Sequence, residues 1–487
     1  MKNIFSILLV AVLSGCAVGP DYRAPESKLR ENFSHASGIT TATNSPQQLA
    51  TWWTVFNDEQ LNALIAEAAA SNLDLRVAQS RVREAKALRG VTRSAFFPQI
   101  GANADYSRSR LSEQTLAGRQ LTASGEPLEN NSFAGGLDMS WEIDVFGGTR
   151  RAAEAAQADL EASVESSRGV LVSVLAEVGL SYLDLRGAQK QLAVNRENLR
   201  LQERTLALTR DRFQAGMAND LDVTRADAQV GNTRAQIPPL EEAEHRAMHR
   251  LGVLLGRNPS DLEAQLTIVA PIPNAPPRVP VGLPSDLLRQ RPDIRQAERE
   301  VAAATARVGV ATADLFPKFY LTGAAGLQSI EASDFFDAGS RFWSLGPSIR
   351  WPIFTAGRIR QNIKVQNARE EQTLIGYEQT VLTSLEEVEN GLVAFGKEQE
   401  HFQALTEVEA ANRRAVQLAD ERYRSGLVDF LDVLDAQRSL LVSQDELARS
   451  ERTLGQNLVR LYKALGGGWS GPENIAAAVH GTETAAK

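Results

Sequence analysis

The chain has 487 residues, 43% of them hydrophobic, and a formal charge of −8. That length serves one large or several ordinary domains, and a mean hydropathy of −0.24 marks a mildly acidic, water-compatible chain. Basic residues are scattered among acidic ones without a basic block, which argues against a nucleic-acid partner.

At the N-terminus Lys2 is followed by an apolar run, Ile4 to Leu13, broken only by Ser6, and then by Leu13-Ser14-Gly15-Cys16. This order matches the lipobox of bacterial lipoproteins. Residues 1–15 are therefore expected to be a cleaved signal peptide and Cys16 the lipidated first residue; an ordinary signal peptide is the alternative. Ala17 is not the Asp that commonly retains enterobacterial lipoproteins at the inner membrane. Cys16 is the single cysteine, so no internal disulfide can form. Beyond it no run reaches the roughly 20 apolar residues of a spanning helix. A membrane crossing would have to be a closed β-barrel.

The remainder is a tandem repeat. Asn72-Leu-Asp-Leu-Arg76 through Phe97-Pro98 is echoed by Pro292-Asp-Ile-Arg295 through Phe316-Pro317, and Asp74 and Asp293 each precede the matching proline by 24 positions. Strand-like alternation follows each copy. Ile100, Ala102, Ala104 and Tyr106 form one line, and Phe133, Gly135, Leu137, Met139, Trp141, Ile143 and Val145 another. In the second half the lines are Phe319, Leu321, Gly323, Ala325, Leu327 and Trp343, Leu345, Pro347, Ile349, Trp351, Ile353. Such alternation suits an outer-membrane strand and also a half-buried soluble strand. Beside a lipoprotein signal the membrane reading is preferred. Four strands are too few for a barrel, whose smallest single-chain form has about eight, so copies of the chain must pool them.

Next come long helices. No proline falls between Gly148 and Phe213, so about 65 residues can form one helix of roughly 100 Å at 1.5 Å per residue. Leu171, Val178, Leu185, Leu192, Leu199, Leu206 and Phe213 recur every seven residues, as do Val381, Val388, Phe395, Phe402, Glu409, Val416 and Tyr423. That period requires helices wound around neighbours. Glu409 is the exception: Glu409→Leu is expected to be tolerated or stabilising if the site faces a packed neighbour, and a polar role such as an inter-helix ion pair is the alternative. Arg212-Phe-Gln-Ala-Gly216 with Leu221-Asp-Val223, and Arg422-Tyr-Arg-Ser-Gly426 with Leu431-Asp-Val433, mark two helix-turn-helix tips offset by 210. Pro238-Pro239 is expected to break or kink the returning helix.

Asp432 and Asp435 are three apart, one helical turn, and can face one side. In a symmetric assembly they would make rings of carboxylates that attract cations; the alternative is helix capping, which suits Asp429 best. Asp222, the first-half counterpart of Asp432, is a candidate for the same gate, with capping its equal alternative. His245 and His249, four apart beside Glu241 and Glu244, read as a solvated charged face, and no metal site is expected. There is no nucleophile–base pair and no glycine-rich phosphate loop, so neither an enzyme nor a cofactor is expected.

Cys16-Ala-Val-Gly-Pro-Asp-Tyr22 with Pro25, Leu283-Pro-Ser-Asp-Leu-Leu-Arg-Gln-Arg-Pro-Asp-Ile-Arg295, Leu315-Phe-Pro317 and Gly346-Pro-Ser-Ile-Arg-Trp-Pro-Ile-Phe354 resemble the lipid-anchored, OprM/NodT-like branch of TolC-type outer-membrane efflux proteins. The resemblance covers essentially the whole mature chain. It implies a mixed α/β membrane protein: a homotrimer whose β-barrel takes four strands per chain and continues as a long periplasmic α-helical barrel. The expected division is 16–58 (lipid-anchored and equatorial), 59–257 (first repeat, strands about 99–145), 258–290 (equatorial linker), 291–466 (second repeat, strands about 318–354) and 467–487 (tail). The resemblance places aspartates at Asp432 and Asp435 in a periplasmic gate and an aromatic at Tyr423. The position two after the tip glycine, an arginine in some members, is Val428 here. It also makes Gly216, Met217, Gly426 and Leu427 contacts for a periplasmic adaptor that works with an inner-membrane pump. The expected function is export of small molecules (drugs, toxic compounds or metals) through the outer membrane. The alternatives are a conduit for type I protein secretion and a lipid-anchored structural coiled coil.

Overall fold

The computed structural model describes residues 17–26, 29–30, 32–34, 40–41 and 49–469. The expected signal peptide, the lipidation residue Cys16 and the tail beyond residue 469 lie outside the described residues. Helices dominate, with one four-stranded sheet and a two-residue parallel pairing of Thr40–Thr41 with Val279–Pro280. No helix among the described residues is long and apolar enough to cross a membrane.

After α1 (Glu59–Ser71) two equal series of elements follow, apart from the small helices α3 (Leu116–Ser124) and α6 (Pro284–Gln290), short helical turns at 259–266 and 338–340, and the paired Val279–Pro280. The first is α2 (Leu73–Ser94), β1 (Gln99–Arg110), β2 (Glu129–Ile143), α4 (Gly148–Gln214) and α5 (Asp220–Leu254). The second is α7 (Pro292–Ala313), β3 (Lys318–Ser329), β4 (Arg341–Arg350), α8 (Arg358–Arg424) and α9 (Phe430–Ala464). Equivalent helices have identical lengths: 22, 67 and 35 residues. The chain divides into two compact units, one from residues 1–25, 82–162 and 297–377, the other from 26–81, 163–296 and 378–487.

The first unit holds the sheet, antiparallel throughout in the order β1-β2-β3-β4. Its register brings the four alternating lines onto one face. Ile100 pairs Met139, which pairs Gly323, which pairs Leu345; Ala102, Leu137, Ala325 and Trp343 form the next row. The other face carries Gln99, Asn103, Asp105, Asp138, Ser140, Glu142, Thr322 and Ser344, because directly paired residues share a side of a pleated sheet. At one end of the apolar face Arg108 pairs with Glu129 at 2.6 Å. At the other end the repeat is visible in single bonds: Trp141 Nε1 donates to Phe96 O and Trp351 Nε1 to Leu315 O, both at 3.0 Å. The segment from Ala17 lies at the junction of β2 and α4. There Val18 N–H donates to Phe146 O at 3.1 Å, and Arg151 donates to Val18 O and to Asp21.

The second unit is helical. Val178, Leu185 and Leu192 of α4 and Val388 and Phe395 of α8, all on the seven-residue lines, are buried. Gly455 lets α9 approach α4 closely, since a Cβ there would stand 3.1 Å from a Leu183 methyl. Trp52 is buried against Tyr462 with ring centroids 5.9 Å apart. Arg186, fully buried, donates to Gln189, Gln60 and the Ile268 carbonyl, and its guanidinium lies over Tyr182. Of the expected break or kink at Pro238-Pro239, a break does not occur: α5 is helical from Asp220 through Leu254. The fixed φ of proline suits a helix, and the carbonyls that lose an N–H partner, those of Arg234 and Ala235, belong to residues exposed to solvent.

Candidate functional site: the helical hairpin tips

The hairpins α4–α5 and α8–α9, both tips within the second unit, turn by the same device. Gly216 and Gly426 adopt φ +72 and +74. Met217 N–H bonds to Arg212 O at 2.8 Å, and Leu427 N–H to Arg422 O at 2.9 Å. These are left-handed helix caps in which the last carbonyls find donors, and glycine alone adopts that φ without strain. Nothing lies within 4 Å of a Cβ built at either glycine, so backbone conformation and not crowding selects the residue.

The two tips share one apolar core. Leu206, Ala226 and Val230 of the first hairpin are buried with Tyr423, Phe430, Val433 and Leu434 of the second, and Val428 packs against the cluster. Tyr423 meets Phe430 edge-on at 5.8 Å. Arg212 crosses from the first hairpin, donating through Nη1 to Tyr423 O at 2.7 Å with its guanidinium 4.5 Å from the ring centroid. Such a contact combines a charge-assisted hydrogen bond with cation–π attraction. Arg212 is missed as a site residue on sequence grounds; its one signal was its place at the head of the repeated Arg-aromatic-x-x-Gly segment. Tyr423, expected at a gate, has its ring in this core.

The aspartates separate by role. Asn219 caps α5, its Oδ1 accepting from Asp222 N–H at 2.8 Å, and Asp222 is half-buried in the first turn. Asp429 occupies the equivalent cap position of α9, yet its side chain makes no capping bond. Asp432 and Asp435 are exposed, and neither carboxylate has a hydrogen bond or ion pair within the described residues. Asp420, by contrast, pairs with Arg424 at 2.8 Å and Asp227 with Arg210 at 3.0 Å. At the two turns Met217 and Leu427 are 66% and 73% exposed, which leaves apolar side chains at the tips open to a partner.

A model of the family described as outer membrane efflux protein matches residues 64–257 and 283–467, one stretch per repeat. The toluene efflux pump outer membrane protein TtgF of Pseudomonas putida is 34% identical over 475 residues, covering 96% of this chain and 97% of that protein. The cation efflux system protein CusC of Escherichia coli is 32% identical over 468 residues, covering 96% and 99%. Among solved structures, the outer-membrane channel OprN is similar with a TM-score of 0.85 and 37% identity, over 93% of this chain and all of that one. These are channel and efflux proteins rather than enzymes. With the family model spanning both repeats and relatives matched along nearly their whole length, the chain belongs to the TolC-type outer membrane efflux protein family.

Proposed function

We propose that three copies of this chain form an outer-membrane conduit for small molecules, working with a periplasmic adaptor and an inner-membrane pump. One observation carries the reading: the strand register gathers the apolar lines on one face of a sheet whose edge strands, β1 and β4, each lack a neighbour on one side among the described residues. A spanning sheet in lipid cannot leave edges open, because each unpaired backbone group costs several kcal/mol. Three copies of four strands, twelve in all, close a barrel with the apolar face toward lipid. Arg108, Glu129 and the two tryptophans then border the band. The 67-residue helices continue the conduit into the periplasm, with 258–290 in a belt around it. Cys16 precedes a segment held at the strand–helix junction, which suits a lipid anchor at the membrane boundary. Cargo selection is left to the pump, in keeping with relatives named for toluene and for cations.

In this assembly Asp432 and Asp435 ring the periplasmic opening as its gate. Asp222 lies in the equivalent turn, and Tyr423, tied by Arg212, holds the two hairpins together. Gly216, Met217, Gly426 and Leu427 meet the adaptor. The experiment is single-channel recording in planar bilayers. Wild-type protein conducts with cation selectivity and is blocked by a trivalent cation from the periplasmic side; Asp432→Ala/Asp435→Ala loses selectivity and block while remaining trimeric. Absence of conductance would refute the conduit, and identical selectivity and block would refute the gate.

A further inference from the structure

His245 and His249 stand one turn apart on α5, and the turn after that helix carries a carboxylate into their reach. The helix stops because Gly256 adopts φ +70 and Arg257 N–H bonds back to Gly252 O at 2.9 Å. Asn258 N–H donates to Asp261 at 3.2 Å, so the next turn, Pro259–Leu262, starts capped. Leu262 and Leu266, 1% and 0% exposed, anchor the segment, and Glu263 between them returns toward the helix. Glu263 Oε1 lies 3.2 Å from His249 Nε2 and 3.8 Å from His245 Nδ1. One ligand atom from each of the three falls within 4.8 Å of the others. The acidic residues nearer in sequence are engaged elsewhere, Glu241 with Arg196 at 2.6 Å and Glu244 with Gln189 at 2.9 Å.

A tetrahedral cation with bonds of about 2.0–2.2 Å holds its ligands about 3.3–3.6 Å apart, near the 3.2 and 3.8 Å that Glu263 keeps from the two histidines. All three side chains are about half-exposed, so small rotations are free to close the set. Two imidazoles with one carboxylate favour borderline metals over Mg²⁺ and Ca²⁺, which prefer all-oxygen sites.

We infer that His245, His249 and Glu263 bind one borderline divalent cation of the zinc class, with water in the fourth position. The bound ion clips the end of α5 to the turn that follows it. The sequence reading of the two histidines as a solvated face lacked Glu263, 14 positions beyond His249. The site is independent of the conduit reading.

The test uses tag-free full-length protein in detergent, washed with chelator, titrated with Zn²⁺ by calorimetry and with Cu²⁺ by electron paramagnetic resonance. One site per chain is expected, with low-micromolar affinity for Zn²⁺ and coupling of two nitrogens to Cu²⁺. His249→Gln removes one nitrogen coupling, and His249→Gln, His245→Gln and Glu263→Gln each weaken Zn²⁺ binding at least about 10-fold. Circular dichroism checks that each variant keeps its helix content. Wild-type binding no tighter than millimolar, or affinity unchanged in all three variants, overturns the assignment.

Discussion

Replacing Glu409 by leucine tests whether the polar break in the heptad line is a defect or a connector. Its carboxylate accepts from Gln444 Nε2 on α9 at 3.0 Å, and Gln444 Oε1 accepts from Asn198 Nδ2 on α4 at 2.8 Å. Arg413, one turn along α8, pairs with the same carboxylate from the solvent side. Three helices are thereby joined through two amides and one charge. Losing a hydrogen bond to a charged group costs about 1.5–3 kcal/mol. The Arg413 pair, with its arginine 60% exposed, adds only about 0.3–0.5 kcal/mol. A leucine side chain partly buried in the same place regains about 1 kcal/mol. The net cost of Glu409→Leu is roughly 0.8–2.5 kcal/mol, which reverses the tolerance expected from the heptad pattern alone. Local opening eased by that amount lowers hydrogen-exchange protection about 4–70-fold. Mass spectrometry of peptides spanning 402–414 and 440–448 should show this, with Glu409→Gln intermediate because it keeps an acceptor. The pH dependence has a definite sign. Burial pushes the Glu409 carboxyl up, but the hydrogen bonds from Arg413 and Gln444 and the charge of Arg413 outweigh it and hold it below the usual carboxylate range. A depressed folded value means this stabilisation is complete above the unfolded value of about 4.3 and lost as pH falls through the folded one. Glu409→Gln should lack that acid-side loss. Protection in the leucine variant equal to wild type, or greater, would refute the connector role.

Three further substitutions test other levels of the structure. Gly19→Ala builds a Cβ 2.4 Å from Gly309 Cα at φ +93, so it should lift the 17–25 segment; limited trypsin digestion at Arg23 should then speed up several-fold, and an unchanged rate would contradict the packing. Arg212→Ala removes the tie to Tyr423, at a cost of about 1–2 kcal/mol, and should speed exchange in 419–434 while Arg212→Lys restores part of the protection; equal exchange in all three proteins would count against the bridge. Cys16→Ser should abolish incorporation of labelled palmitate while the protein still folds, and label retained by the variant would rule out the lipobox assignment.

Much of the architecture was legible because its signals are local. Alternation along 99–106 and 133–145 exposes a strand through the two-residue period of the backbone, and a seven-residue line from Leu171 to Phe213 exposes a long helix through a period near 3.5. The repeat could be read for the same reason: Arg212 to Gly216 and Arg422 to Gly426 specify the same cap in two places. The double proline does not end its helix because the cost of a proline depends on whether solvent reaches the freed carbonyls, and exposure is a tertiary property.

The candidate site divides along the same line. Sequence alone placed the tip glycines, the Asp432–Asp435 spacing and the two histidines, since each depends on neighbours within a helical turn. Only the tertiary structure decided what those groups face. Tyr423 enters a core with residues from the other hairpin, Glu409 reaches Gln444 on α9, and Glu263 arrives beside His249. Among the described residues, the carboxylates of Asp432 and Asp435 are exposed and have no hydrogen-bond or ion-pair partner. Periodicity is fixed by bonds along the chain, whereas a side chain's partner is fixed by which distant segment the buried faces bring against it.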